Sequence, residues 1–266
     1  LDACASRGIV VVLAPMYAGA ESTSPKQGWA DEMRTNGSTK LRSLGAAIET
    51  AFSTCQNVIY QHLGDNTSDL KDLAYSLAQG INDVNSTRLQ TAHCNGGAGG
   101  DHSPRDVFTP AGSYPVINLN LIYTYYSAGD SSTYMAELMH TQWTRSPAWP
   151  FYKAEDRYLD DGVADAYMTR WQTYQAILGG ACGNFTGVNG IWYFDGVGNA
   201  SPPQGWKLQL DAAGRLHAHR AWTLLTGAVW VKHFDLELTR GNPAMEEDAI
   251  GVVRLLASNE IGRAHV

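Results

Sequence analysis

The sequence predicts an α/β fold built on parallel strands, and three observations carry that reading. Short, almost purely apolar runs alternate with longer stretches of helical periodicity. Polar side chains (Tyr17, Asp65, Asn66, His93, Tyr125, Glu155 and Asp195) gather just after those runs, at the carboxyl ends of the strands, where parallel α/β folds bind ligands. With 266 residues, 44% of them hydrophobic, the chain has apolar mass for a full core.

The elements follow in order. Residues 1–8, Leu-Asp-Ala-Cys-Ala-Ser-Arg-Gly, read as the last turns of a helix stopped at Gly8. The run 9–14 is nearly continuous Val, Ile and Leu, as in a strand buried on both faces. A helix is expected over 39–55, where Leu41, Leu44, Ala47, Ile48 and Ala51 recur at spacings of three and four. A strand at 57–63 ends in Gly64-Asp65. The helix after it, 69–84, repeats the pattern with Leu70, Leu73, Ala74, Leu77 and Ile81. Strands are then expected at 88–93, 116–124, 151–155 and 190–194, and helices at 131–144, 167–178 and 209–225. After Trp230 the rhythm stops, and 234–238 and 249–256 read as the first strands of a small β domain.

Both ends read as cut. A chain starting inside a helix is expected to lack an N-terminal portion, with any signal peptide, and 260–266 back-translates into a run resembling a sequencing-adapter oligonucleotide. The expected layout is an α/β domain over 1–235 that lacks its beginning, the start of a truncated β domain or a linker over 236–259, and a non-native tail over 260–266. Such a fragment of shotgun data is expected to be insoluble or inactive by itself.

Composition removes several function classes. A formal net charge of −7 without a Lys/Arg cluster argues against nucleic acid or an anionic membrane as partner. No apolar run approaches the roughly 18 residues of a membrane span. Cys4, Cys55, Cys94 and Cys182 stand far apart with no CxxC, which excludes zinc-ribbon and thioredoxin-type sites and leaves one disulfide or none. The loop Gly96-Gly97-Ala98-Gly99-Gly100-Asp101-His102 lacks both nucleotide-binding glycine spacings, and there is no GxSxG elbow.

Two carboxylates stand out. Asp65 closes the run from Asn57 to Gly64, and Glu155 closes Trp149-Pro150-Phe151-Tyr152-Lys153-Ala154. Hydrolysis of a glycosidic bond needs one protonated carboxyl to release the leaving oxygen and one ionised carboxylate to attack the anomeric carbon or activate water. Two carboxyls at strand ends facing one pocket suit that division of labour. The bland alternative is a helix cap or an ion pair, better suited to Asp65, before a helix, than to Glu155, since Glu is a poor cap.

These stretches, together with Leu89-Gln90-Thr91-Ala92-His93, the Glu155…Tyr158 pair and Leu178-Gly179-Gly180-Ala181-Cys182-Gly183…Gly190-Ile191-Trp192, resemble the apiosidase-like glycoside hydrolases, a clan A (β/α)8-barrel (TIM barrel) family. The resemblance runs from Leu1 to about Asp235 and implies an incomplete barrel, strands three to eight, in which Asp65 ends the fourth strand and Glu155 the seventh. It implies Asp65 as general acid/base and Glu155 as nucleophile of a retaining mechanism. The family often shows Gly-Gly-Asp where this chain has Leu63-Gly64-Asp65, so Leu63 bears on how Asp65 is presented.

His93 matches a family histidine and is a candidate for binding a sugar hydroxyl. Tyr123 and Tyr125, which share one strand face, are candidates for orienting the nucleophile. Trp192 is a candidate floor for the sugar, and Tyr158 a candidate partner of Glu155. For each, ordinary core packing is the competing role. The expected protein is a bacterial enzyme, secreted or periplasmic, that hydrolyses poly- or oligosaccharides with no metal or organic cofactor, since two carboxyls suffice. A non-catalytic carbohydrate-binding or structural barrel is the alternative, and an unrelated α/β hydrolase or isomerase a weaker one.

Overall fold

The strands are short, parallel and followed by helices. The structure, a computed structural model, describes residues 1–19, 28–66, 68–94, 103–108, 114–124, 132–147, 149–155, 158, 166–188 and 191. The chain divides into two units, Leu1–Tyr123 and Thr124–Val266. The expected strand at 190–194 (apart from Ile191), the helix at 209–225, the β segments at 234–238 and 249–256, the glycine-rich loop with Asp101 and His102, and the tail at 260–266 lie outside the described residues.

In the first unit, α1 (Asp2–Ala5) closes before Gly8 and leads into β1 (Val11–Leu13). Helix α2 (Ala30–Phe52) precedes β2 (Val58–Asn66), and a single 3-10 turn introduces α3 (Lys71–Val84). Strand β3 (Gln90–Cys94), the short α4 (Pro104–Val107) and β4 (Asn120–Tyr123) complete the unit. The three strands β1, β2 and β3 form one parallel sheet in that order, Val11 opposite Val58 and Tyr60 opposite Gln90. All five residues of β3 are buried, as expected of a strand covered on both faces.

The core lies between this sheet and the α2–α3 pair. Met33, Leu41, Leu77 and Ile81 from the helices are buried with Val58, Tyr60 and Ala92 from the strands. The two helices cross with their backbones nearly touching. A Cβ on Gly45 would lie 2.1 Å from the Leu77 carbonyl oxygen, and one on Gly80 would lie 1.9 Å from that of Arg42. Only glycine fits at either place.

Helix α2 begins nine residues earlier than the 39–55 periodicity predicts. Its first part contributes only Ala30 and Met33 to the core and is set off by Gly37, whose φ of 70° and ψ of 175° break the helix. Its end is fixed by a buried polar cluster. Arg88 donates to the carbonyl of Phe52, one of the acceptors a helix end leaves open, and to that of Cys55 just beyond the helix, and its Nε pairs at 2.7 Å with Glu49, which is fully buried. The Glu49 carboxylate also accepts from the Tyr60 hydroxyl and the Asn85 amide. Strand β4 is shorter than the expected 116–124, because Asn118 and Leu119 both donate backbone N–H groups to the Gln90 carbonyl and turn instead of extending.

In the second unit, α5 (Ser132–Thr144), β5 (Phe151–Ala154) and α6 (Ala166–Leu178) match the expected elements closely. Glycines again allow close approach after α6: a Cβ on Gly179 would meet Met139, and one on Gly180 the Trp143 ring. The stretch 182–185 returns alongside β5, with Lys153 N–H donating to Gly183, Phe185 N–H to Lys153, and Asn184 opposite Lys153 in parallel sense. That pairing lies before 190–194, where the periodicity puts the next strand. All four cysteines are free thiols.

Candidate active site

Asp65 owes its position to a local fault in the sheet. Along β2 and β3, Leu63 lies opposite His93 and Asn66 opposite Cys94, so Gly64 and Asp65 are extra residues that leave the ladder. Leu63, Gly64 and Asp65 have φ of 64°, 101° and 49°, three successive residues in the left-handed region. That conformation is ordinary for glycine and costs about 1–3 kcal/mol at each of the other two. Leu63 therefore stands where glycine would be unstrained. It is held there by burial of its side chain and by its carbonyl, which accepts from Ala18 N–H.

The Asp65 carboxylate is bound from one side by Tyr17, whose hydroxyl donates to Oδ2 at 2.5 Å. On the other side His93 Nδ1 lies 4.0 Å from Oδ1. His93 itself is nearly buried, with its ring packed edge-on against Tyr123 at a centroid distance of 4.6 Å. Three of the expected residues (Asp65, His93 and Tyr123) are thus brought together in the first unit. Tyr17 joins them. Its position after a strand was visible in the sequence, but not its bond to Asp65.

Glu155 in the second unit is built the same way. It follows the last residue of β5 with φ of 56°, the left-handed region again. Its Oε1 accepts a hydrogen bond from the Tyr158 hydroxyl at 2.9 Å. The Tyr158 ring lies against Gly187, where an added Cβ would come within 2.3 Å of it. Two residues before Glu155, Lys153 is fully buried, and its ammonium is pulled down from the ordinary 10.5 to about 7. Burial is the main cause, and the charge of Glu155 opposes it. No motif marked this lysine in the sequence. Tyr125 and Trp192, also expected at the site, lie outside the described residues, as does Asp195.

Each carboxylate is therefore lifted off a strand end, oriented by a tyrosine hydroxyl and held by strained backbone. Strain of this kind persists only where the surrounding structure over-determines it, and it concentrates at functional sites. Two solved structures that share this parallel α/β fold are glycoside hydrolases. One, described as a glycoside hydrolase, has a TM-score of 0.67 at 18% identity, with 85% of this chain and 53% of that one covered. Another, a glycoside hydrolase family 5 protein from Bacteroides vulgatus ATCC 8482, has a TM-score of 0.66 at 18% identity, covering 84% and 51%. At that identity the likeness establishes the parallel α/β fold, and the chain spans about half the length of these structures.

The family is established by sequence. Residues 1–232 match the model of the apiosidase-like catalytic domain, and the chain belongs to that family. Comparison with curated proteins returns no match. Among the described residues no helix is long and apolar enough to cross a membrane.

Proposed function

We propose that the chain is the catalytic part of a retaining glycoside hydrolase, with Asp65 as general acid/base and Glu155 as nucleophile. The observation that carries this reading is the matched construction of the two carboxylates. Each stands in left-handed backbone at or just past the carboxyl end of a strand, and each accepts a tyrosine hydroxyl. The reading takes these strands as the fourth and seventh of a (β/α)8 barrel, and it requires both carboxyl groups to reach one glycosidic bond.

In the first step Glu155 attacks the anomeric carbon while Asp65, protonated, gives its proton to the departing oxygen. The bonding pair leaves with that oxygen, and a glycosyl ester forms on Glu155. In the second step Asp65, now a carboxylate, takes a proton from water. The resulting oxygen attacks the anomeric carbon, and Glu155 is released. The packing of His93 against Tyr123 beside Asp65 supports a role for the two in binding the sugar.

The family description makes an apiosyl group the first substrate to test, and we take it to be carried on a side chain of a plant or microbial polysaccharide. Such a polymer is too large to enter the cytoplasm intact, which supports a periplasmic or secreted enzyme. Glu155→Gln removes the nucleophile and keeps the shape, and hydrolysis should fall at least 10⁴-fold, to background. Turnover near the wild-type rate in a folded Glu155→Gln protein rejects the assignment and favours a non-catalytic carbohydrate binder.

A further inference from the structure

Tyr17 is fixed against the loop that bears Asp65 along its whole length. Its ring lies on Gly64, where an added Cβ would come within 2.4 and 2.8 Å of two ring carbons. The two residues after it pair with the same loop, Ala18 N–H donating to the Leu63 carbonyl at 3.0 Å and Gly19 N–H to that of Gly64 at 2.9 Å. Its own carbonyl accepts from the N–H of Trp29, the residue that precedes α2. Both the hydroxyl and the carboxylate it meets are therefore held from their backbones. Meanwhile Oδ1, the oxygen that Tyr17 does not bind, is the one nearest His93.

From this geometry we infer that Tyr17 is a positioning residue that assigns the two oxygens of Asp65 different tasks. Oδ2 accepts the Tyr17 hydroxyl throughout the cycle, and Oδ1 is the oxygen that carries and transfers the proton. The inference rests on Asp65 being the acid/base. When the glycosidic bond breaks, the O–H bond at Oδ1 breaks and a new O–H bond forms on the leaving oxygen. The electron pair left on the carboxylate is delocalised over both oxygens, one of them already held by Tyr17. A hydroxyl aimed at developing charge needs no reorganisation during the reaction. Without it the carboxyl turns about its Cβ–Cγ bond, and Oδ1 is no longer directed at the leaving group.

Tyr17→Phe tests this, because the ring keeps its packing on Gly64 and only the hydroxyl is lost. The full chain is first screened against 4-nitrophenyl glycosides, apiosides among them. kcat/KM is then measured for the phenyl and 2,4-dinitrophenyl glycosides of the sugar it cleaves. The phenyl leaving group needs a proton and the dinitrophenyl group does not. Tyr17→Phe should lose about 10- to 100-fold on the phenyl glycoside and less than about 3-fold on the dinitrophenyl one, with an unchanged melting temperature. Asp65→Ala should show the same dependence more strongly, with azide restoring turnover of the activated substrate.

An equal loss on both substrates would mean that Tyr17 only supports the fold, and no loss would mean that it does not position Asp65. Either result overturns the inference while leaving Asp65 in place. Asp65→Ala without leaving-group dependence overturns the acid/base assignment and the inference with it.

Discussion

Lys153 is a cation wholly inside the protein, next to a strand end whose Glu155 carries negative charge. The ammonium loses its hydration there, so its pKa falls to about 7 in the folded chain against an ordinary 10.5. Between those two values the unfolded chain holds a proton that the folded chain has released, so rising pH favours folding in that window. Below about 7 both forms are protonated, and the cost of the buried charge is complete. Stability should therefore rise from pH 7 to pH 9 more steeply in the wild type than in Lys153→Met, and the variant should be more stable at pH 7 by about 1–4 kcal/mol. Urea unfolding at both pH values reads this directly; parallel pH dependences for the two proteins would contradict it.

At the scale of elements, the crossing of α2 and α3 is set by two glycines at which a backbone replaces a side chain as the packing surface. Gly80→Ala puts a methyl group into the Arg42 carbonyl, and since this contact is backbone, no side chain can swing away. The substitution would otherwise favour a helix, yet here it should destabilise the protein by about 1–3 kcal/mol, read from the urea midpoint. A change within about 0.5 kcal/mol would show that the helices do not meet as closely as described.

That crossing also shows where reading the sequence runs out. The helices themselves were legible, because Leu73, Leu77 and Ile81 mark one face at the right period and Leu41 and Ile48 do so in α2; Leu44, of the same expected stripe, is exposed, and α2 buries Leu41, Gly45 and Glu49 instead. Gly45 and Gly80 carried no such mark: what they accommodate lies on a distant part of the chain. The early start of α2 has no sequence signal because 30–38 holds few apolar residues and a helix-breaking Gly37. The shortened β4 has none because a valine-to-leucine run can turn as well as extend when a carbonyl such as that of Gln90 waits for it. The carboxylates at the strand ends were visible from local pattern alone. The hydroxyl that holds Asp65 comes from 48 residues away, and only the fold brings it there.

For the whole molecule, the proposed chemistry is a division of labour between two carboxylates, Asp65 and Glu155. The chain matches the apiosidase-like catalytic domain over residues 1–232, and both residues stand at the ends of strands. Mass spectrometry of the chain inactivated by a panel of activated 2-deoxy-2-fluoro glycosides tests this most directly, since a retaining enzyme stalls as its glycosyl ester. One sugar should be found on the peptide that carries Glu155, and excess substrate should suppress the labelling. A label on another carboxylate, or substrate turnover that leaves Glu155 unmodified across the panel, would contradict the mechanism.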